Sequence, residues 1–470
     1  MLFNTPIFFL FFAVFFLLYS FVFLKRYPRL LLILVGSLVF YAGWNYRFIP
    51  LLVFSAIVDY FVAIWIHRAT EKRRKKLLLS ISIATNLGIL AVFKYADFAM
   101  LSVVDLVDAF GYEVSWPMLA FVLPVGISFY TFQSMSYTID VYRGVMEPRK
   151  GLLQFTAALA FFPQLVAGPI LRARQILPQL DVMPSPTWIG VKHGFVLITL
   201  GLFKKTIADL LAGLVSATFD SGAPLSLIET WTGVLAFAAQ IYGDFSGYTD
   251  MAIGVGLLLG FKIPLNFRLP YFASSPVDFW RRWHISLSTW LRDYLYISLG
   301  GNRTHRYRNI MITMLLGGLW HGAAWTFVVW GFLHGFLVVA THQLSAMATF
   351  KRFSESEQWT VRLVKWAFTF YLVLIGWVFF RSPDLETAGS VLINMHTLGS
   401  SLPAALDYAG IYFALTVLAL AVMHLVDWIF IRFGQGIERR GWLLWPILIF
   451  LQTLCFIVGA PSEAFIYFQF

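Results

Sequence analysis

Apolar runs of about 20 residues recur along the chain, separated by short polar or basic turns, and such a run is the length of a membrane-crossing helix. In order they cover Pro6 to Leu24, Leu30 to Trp44, Phe48 to Ile66, Leu77 to Phe93 and Pro117 to Ile139. After an irregular stretch they resume at Val191 to Val215, Ile228 to Phe245, Asn309 to Trp325, Phe327 to Met347, Val364 to Phe380, Gly410 to Phe430 and Trp442 to Val458. The runs are continuous rather than alternating, which excludes a membrane β-barrel. The pattern predicts an all-α polytopic membrane protein of about 11–12 transmembrane helices.

Four stretches depart from it. The run ending at Ile139 carries Ser128, Thr131, Gln133, Ser134 and Ser136, a polar stripe that either glues helices together or lines a cavity. From Asp140 to Pro186, Phe161-Phe162-Pro163-Gln164 and Ala167-Gly168-Pro169 interrupt the apolar residues. Broken helices at membrane depth must be buried in protein or face a water-filled cavity, so a re-entrant hairpin is expected there. Lys204, Lys205 and Asp209 lie inside a span and should face the protein interior. Gly254-Val255-Gly256 to Gly260 lacks the spacing and the βα context of a nucleotide fingerprint and reads as close helix packing.

Composition agrees with the pattern: of 470 residues, 59% are hydrophobic and 13% charged, with a mean hydropathy of +0.75. A soluble domain carries roughly a quarter charged residues. The net charge of +11 sits in loops between spans, which fits basic loops held in the cytoplasm and makes nucleic-acid binding a poor explanation. Lys72-Arg73-Arg74-Lys75-Lys76 is the strongest such signal, and counting spans from it puts both termini on the extracytoplasmic side. The first apolar run has no basic residue before it and no Ala-x-Ala site after it, so it reads as a retained helix. The lone cysteine, Cys455, rules out an internal disulfide and a cysteine metal site, and no His–carboxylate spacing suggests a metal.

Candidate chemistry concentrates between Phe272 and Gly335. His321 lies in Gly317-Gly318-Leu319-Trp320-His321-Gly322, with Trp325 just beyond. Glycines permit close approach of backbone or ligand, and tryptophans exclude water. An imidazole there can be a general base that takes a proton from a hydroxyl attacking an acyl donor; the competing reading is a histidine that bonds one helix to another. His284 follows Asp278-Phe279-Trp280-Arg281-Arg282-Trp283 on what the apolar spacing predicts to be one amphipathic helix at the membrane surface. It is either a rim residue or a second catalytic or orienting group, with Arg281 and Arg282 placed to grip an anionic donor. His334 is the one other histidine worth testing. The aromatic tail, Phe465 to Phe470, is either an interfacial belt or a carrier of Tyr467, whose phenol needs a base to become a nucleophile. Gly-x-Ser-x-Gly, Walker A and His-Glu-x-x-His motifs are missing.

Four segments taken together resemble the membrane-bound O-acyltransferase family over nearly the whole length. They are Leu123-Pro124-Val125-Gly126-Ile127-Ser128-Phe129-Tyr130, Phe161 to Pro169, Asp278 to Gly301, and Gly317 to Gly322. The likeness is greatest to the bacterial branch that acetylates alginate and peptidoglycan or modifies teichoic acids. Ser298 stands where that pattern has proline. The resemblance implies one domain, 1–470, with N-terminal spans in 1–140, a catalytic core with re-entrant and interfacial helices around a central funnel in 141–350, and C-terminal spans and tail in 351–470. It implies His321 as principal histidine and His284 as second. Arg281, Arg282, Trp320 and Trp325 are the residues expected at the donor site. Tyr467 would serve as an acyl relay.

The expected donor is acetyl-CoA, with no permanently bound cofactor. The expected partner is a periplasmic SGNH-type acetyltransferase with a serine nucleophile, which passes acetyl to a polysaccharide of alginate, cellulose or peptidoglycan type. The expected place is the bacterial inner membrane. A non-covalent transporter and a lipid or protein acyltransferase remain alternatives at this stage.

Overall fold

A computed structural model describes residues 1–149, 151–222, 225–347, 351, 353, 355–397, 406–434 and 444–458. Among them there is no strand. Five helical stretches are long and apolar enough to cross a membrane: Arg26–Arg68, Lys72–Ala109, Trp325–Ala346, Trp359–Arg381 and Ala409–Arg432. The chain is an all-α multi-pass membrane protein. By its internal contacts it divides into two units, 1–194 with 255–264, and 195–254 with 265–470.

The first unit begins with α1 (Pro6–Leu17), α2 (Arg26–Asn45), α3 (Ile49–Arg68) and α4 (Lys72–Ala109). A π-helical turn, Leu18–Val22, extends α1. The buried Arg29 closes that turn by donating Nε to the carbonyls of Tyr19 at 3.2 Å and Phe23 at 2.8 Å. α5 (Ile127–Tyr142) carries the polar stripe, and its residues from Ile127 to Val141 are all buried. Side chains from three helices meet at Asp59 on α3. Its carboxylate accepts from Ser82 Oγ at 2.6 Å, from Asn86 Nδ2 at 2.7 Å, and from Ser134 Oγ. The stripe is therefore helix-to-helix glue, which satisfies polar groups where water is scarce.

The broken stretch forms α6 (Leu152–Leu159), α7 (Phe162–Leu165) and α8 (Ala173–Val182). Every residue from Gln154 to Ala173 is buried. Phe162 packs among Phe11, Phe15 and Phe40, with ring centroids 5.6, 5.2 and 5.5 Å away. Gln164 Nε2 donates to Gln133 Oε1 at 2.7 Å and to the Ala158 carbonyl at 3.0 Å. Irregular backbone survives here because protein groups replace the missing helical bonds.

The second unit contains most of α9 (Trp188–Phe219) and α10 (Leu227–Leu258). A Cβ on Gly247 would come 2.6 Å from the Gly201 carbonyl, so the two backbones nearly touch. This approach lets α9 hand two buried lysines to carboxylates. Lys204 pairs with Asp250 and, at 2.9 Å, with Asp427; Lys205 pairs with Asp209 at 2.6 Å and Asp244 at 2.9 Å. These interior charges lie where the sequence placed them, and they are compensated, as charges in low dielectric must be.

Removing one partner of a buried ion pair strands the other and costs about 3–5 kcal/mol. Lys204→Ala should therefore sharply lower both the amount of folded protein in membranes and its melting temperature in detergent. Arg362→Ala breaks an exposed 3.6 Å contact with Glu357 and should leave both unchanged within error.

Candidate active site

The chain from 265 to 346 builds a site within the second unit. A loop leads into α11 (Pro276–Arg282), which is capped by Ser275 Oγ accepting from the Asp278 N–H at 3.1 Å. The amphipathic helix expected through this region is broken. His284 adopts φ 42° and ψ 54°, a left-handed conformation, and α12 (Ile285–Trp290) starts only after it. A π-helical turn, Leu291–Tyr296, continues α12. Non-glycine residues hold left-handed geometry only where their surroundings enforce it.

Asn266 is what enforces it. Its backbone carbonyl accepts from the Ile285 N–H at 2.9 Å. Its side-chain Oδ1 lies 3.2 Å from His284 Nδ1 and accepts from the Ser286 N–H at 3.1 Å and Ser286 Oγ at 2.8 Å. Because the backbone N–H of Ser286 can only donate, the Asn266 atom facing it is oxygen. His284 Nδ1 must then carry the proton, which leaves the lone pair on Nε2. The ring is fully buried, edge-on to Phe245 at 4.7 Å, and burial pushes its pKa down to about 3. His284 is a buried neutral imidazole rather than a rim residue.

His321 ends α13 (Arg306–His321), and the chain turns at once into α14 (Trp325–Ala346). Glycines let these helices meet backbone to backbone. A Cβ on Gly318 would lie 3.0 Å from Gly331 Cα, and one on Gly331 would lie 2.6 Å from the Met314 carbonyl. The His321 ring is enclosed by Trp320, Trp330 and Phe380, with centroids 5.0, 5.1 and 5.3 Å away. Its centroid is 6.3 Å from that of His284. The turn of helix ending in His321 thus brings together two histidines 37 positions apart in the chain (321 − 284).

A cavity of 660 Å³ reaches His321. Its lining runs from the exposed Arg281 and Arg292 to the buried His321 and Trp330, and includes Arg306 and His342 but no carboxylate. The other expected residues fall into place around it. Arg282 is held by Asp278 at 3.0 Å and does not line the cavity. Trp320 packs on both histidines. Trp325 is 52% exposed at the start of α14, outside the lining. His284 is not among the lining residues, which include its neighbours Ile285 and Leu287. Tyr467 lies outside the described residues. Asn266, Trp330 and Phe380 were not anticipated; Asn266 and Phe380 are 18 and 59 positions from His284 and His321 respectively, and no motif marks any of the three.

A buried imidazole at the end of a glycine-packed helix, lining a cavity with three arginines and no carboxylate, is a candidate acid–base site in a membrane protein. The comparisons make the class specific. The family model for the membrane-bound O-acyltransferase family (MBOAT) matches residues 149–381, which contain both histidines. The chain is 42% identical over 404 residues to the probable alginate O-acetylase of Azotobacter vinelandii, covering 85% of this chain and 79% of that one. It is 38% identical over 430 residues to the peptidoglycan O-acetyltransferase of Helicobacter pylori, covering 84% and 80%. The teichoic acid D-alanyltransferase of Bacillus subtilis is more distant, at 27% over 293 residues and 56% of this chain. The chain belongs to the membrane-bound O-acyltransferase family, and it is an O-acyltransferase.

Asn266→Ala should release His284 from its left-handed turn and cut activity about tenfold to a hundredfold, the effect of about 1–3 kcal/mol lost with a buried hydrogen bond. Transfer assays on membranes with matched protein content will check it. A second expectation concerns acid. With its folded pKa below the unfolded value near 6.5, His284 resists a proton that the unfolded chain accepts, so stability falls as pH drops through about 6.5 toward 3. His284→Gln should make that decline shallower in melting curves; an unchanged slope would contradict a neutral His284.

Proposed function

We propose that this protein is a membrane O-acetyltransferase of the bacterial inner membrane, moving acetyl groups from cytoplasmic acetyl-CoA to an extracytoplasmic polysaccharide of alginate, cellulose or peptidoglycan type. The observation that carries the reading is the shared cavity. Arg281, Arg292 and Arg306 line it together with His321, and no carboxylate offsets them there. Such a lining suits the phosphates of a CoA carrier at the exposed side and its thioester beside the imidazole. The acetyl group and the acceptor class come from the relatives' names, alginate O-acetylase and peptidoglycan O-acetyltransferase.

In the proposed chemistry His321 is the general base, and His284 is the second catalytic or orienting group. Tyr467 is the relay. His321 takes the phenolic proton of Tyr467, the oxygen attacks the thioester carbonyl, and the C–S bond breaks. The departing CoA thiolate recovers the proton from His321. A serine on a periplasmic SGNH-type partner then attacks the acetyl-tyrosine, which returns the phenol and carries the acetyl to the polymer. No cofactor stays bound in this scheme. Both termini lie outside the membrane on the periplasmic side, which puts the tail within reach of that partner.

Loss of a general base costs about 10²–10⁴ in rate. His321→Ala should remove polymer ester in cells to that extent while leaving protein levels intact. Incubation with labelled acetyl-CoA should label the C-terminal peptide at Tyr467, seen by mass spectrometry, and Tyr467→Phe should abolish the label. Normal polymer acetylation in Tyr467→Phe cells would sink the relay.

A further inference from the structure

His334, on α14 and 13 positions after His321 in the chain (334 − 321), takes no part in the scheme above. It is buried, and a Cβ on Gly376 would sit 2.8 Å from its Nε2, so a glycine on the neighbouring helix Trp359–Arg381 makes room for the ring. Three aromatics surround it. Phe279 stacks at 6.0 Å, Trp280 meets it edge-on at 5.3 Å, and Trp330 lies closest at 4.7 Å. Trp280 and Trp330 also line the cavity, and Trp330 packs against His321 with ring centroids 5.1 Å apart.

Polar bookkeeping in this cluster does not close. Among the described residues, neither nitrogen of His334 has a hydrogen-bond partner, and neither has the indole N–H of Trp280 or of Trp330. A buried donor or acceptor left unpaired loses the whole of its hydration, so the groups gain by pairing with one another. An indole offers only a donor, and a neutral imidazole offers one donor and one acceptor. Within these three touching rings, the bare imidazole nitrogen is therefore the one acceptor. Of the two indoles Trp330 is the nearer, its ring centroid 4.7 Å from that of His334 against 5.3 Å for Trp280.

We propose that His334 is a positioning residue: its imidazole accepts the indole N–H of Trp330 and so fixes the wall that holds the His321 ring at the bottom of the cavity. This rests on the reading of His321 as the reacting group. The consequence is specific to the nitrogen rather than to the ring. His334→Phe keeps the aromatic packing and loses the acceptor; His334→Gln loses the ring and keeps an acceptor on a side chain of similar reach.

The test uses the full-length protein in cells and in lipid nanodiscs, with variants compared at equal membrane abundance. His334→Phe should lower polymer ester about tenfold, the effect of one hydrogen bond, and His334→Gln should recover most of it. Trp330→Phe should cause a similar loss, and the double variant His334→Phe/Trp330→Phe should be no worse than either single one, because both remove the same bond. Independently of any substrate, the Trp330 indole N–H resonance in ¹⁵N spectra, identified by its disappearance in Trp330→Phe, should move in His334→Phe and stay near its place in His334→Gln. Full ester in His334→Phe, multiplying losses in the double variant, or an unmoved indole resonance would each overturn the proposal. If deleting the protein leaves polymer ester unchanged, the polysaccharide reading falls, while the indole resonance still decides the role of His334.

Discussion

The interior of this protein has little water to offer, and every polar group placed there must be answered by another part of the chain. That constraint explains features that otherwise look unrelated. Asp59 is met by serines and an asparagine from two other helices. Lys204 and Lys205 each receive two carboxylates. Arg29 closes the end of a π-helical turn, and the broken stretch around Gln164 stays buried on glutamine-to-carbonyl bonds. None of these groups lines the cavity that reaches His321. They allow a largely apolar chain to contain loops, breaks and charges at depth.

The candidate active site uses the same rule for a different end. Asn266 satisfies Ser286 and His284 with one oxygen, and in doing so fixes both the backbone turn and the tautomer of the imidazole. Glycines at 318 and 331 let α13 and α14 touch, which sets His321 against Trp330 with little freedom to move. The arginines stand at the exposed part of the lining, where they remain hydrated and cost little to keep charged.

The all-α membrane architecture was legible because apolar period and length are set by the bilayer and by the helix rise, both local quantities. The inward direction of Lys204, Lys205 and Asp209 was legible for the same reason, since lipid cannot accept them. His321 stood out through its glycines and tryptophans, and His284 through the aromatic and basic residues just before it. One helix through 280–291 was expected, yet the structure has two, separated at His284. Periodicity sees only neighbours along the chain, and the bond that breaks this helix comes from Asn266, 18 positions earlier (284 − 266).

The sequence by itself determined where helices lie, which residues must avoid lipid, and which histidines to suspect. Only the tertiary structure decided that the two histidine rings lie 6.3 Å apart, that Arg281 rather than Arg282 lines the cavity, and that Trp330 and Phe380 pack against His321. The difference is one of range. Solvent preference acts on each residue separately and is written along the chain, whereas the site depends on contacts such as Asn266 with His284, His284 with His321 and Phe380 with His321, which are 18, 37 and 59 positions apart and exist only once the helices have packed.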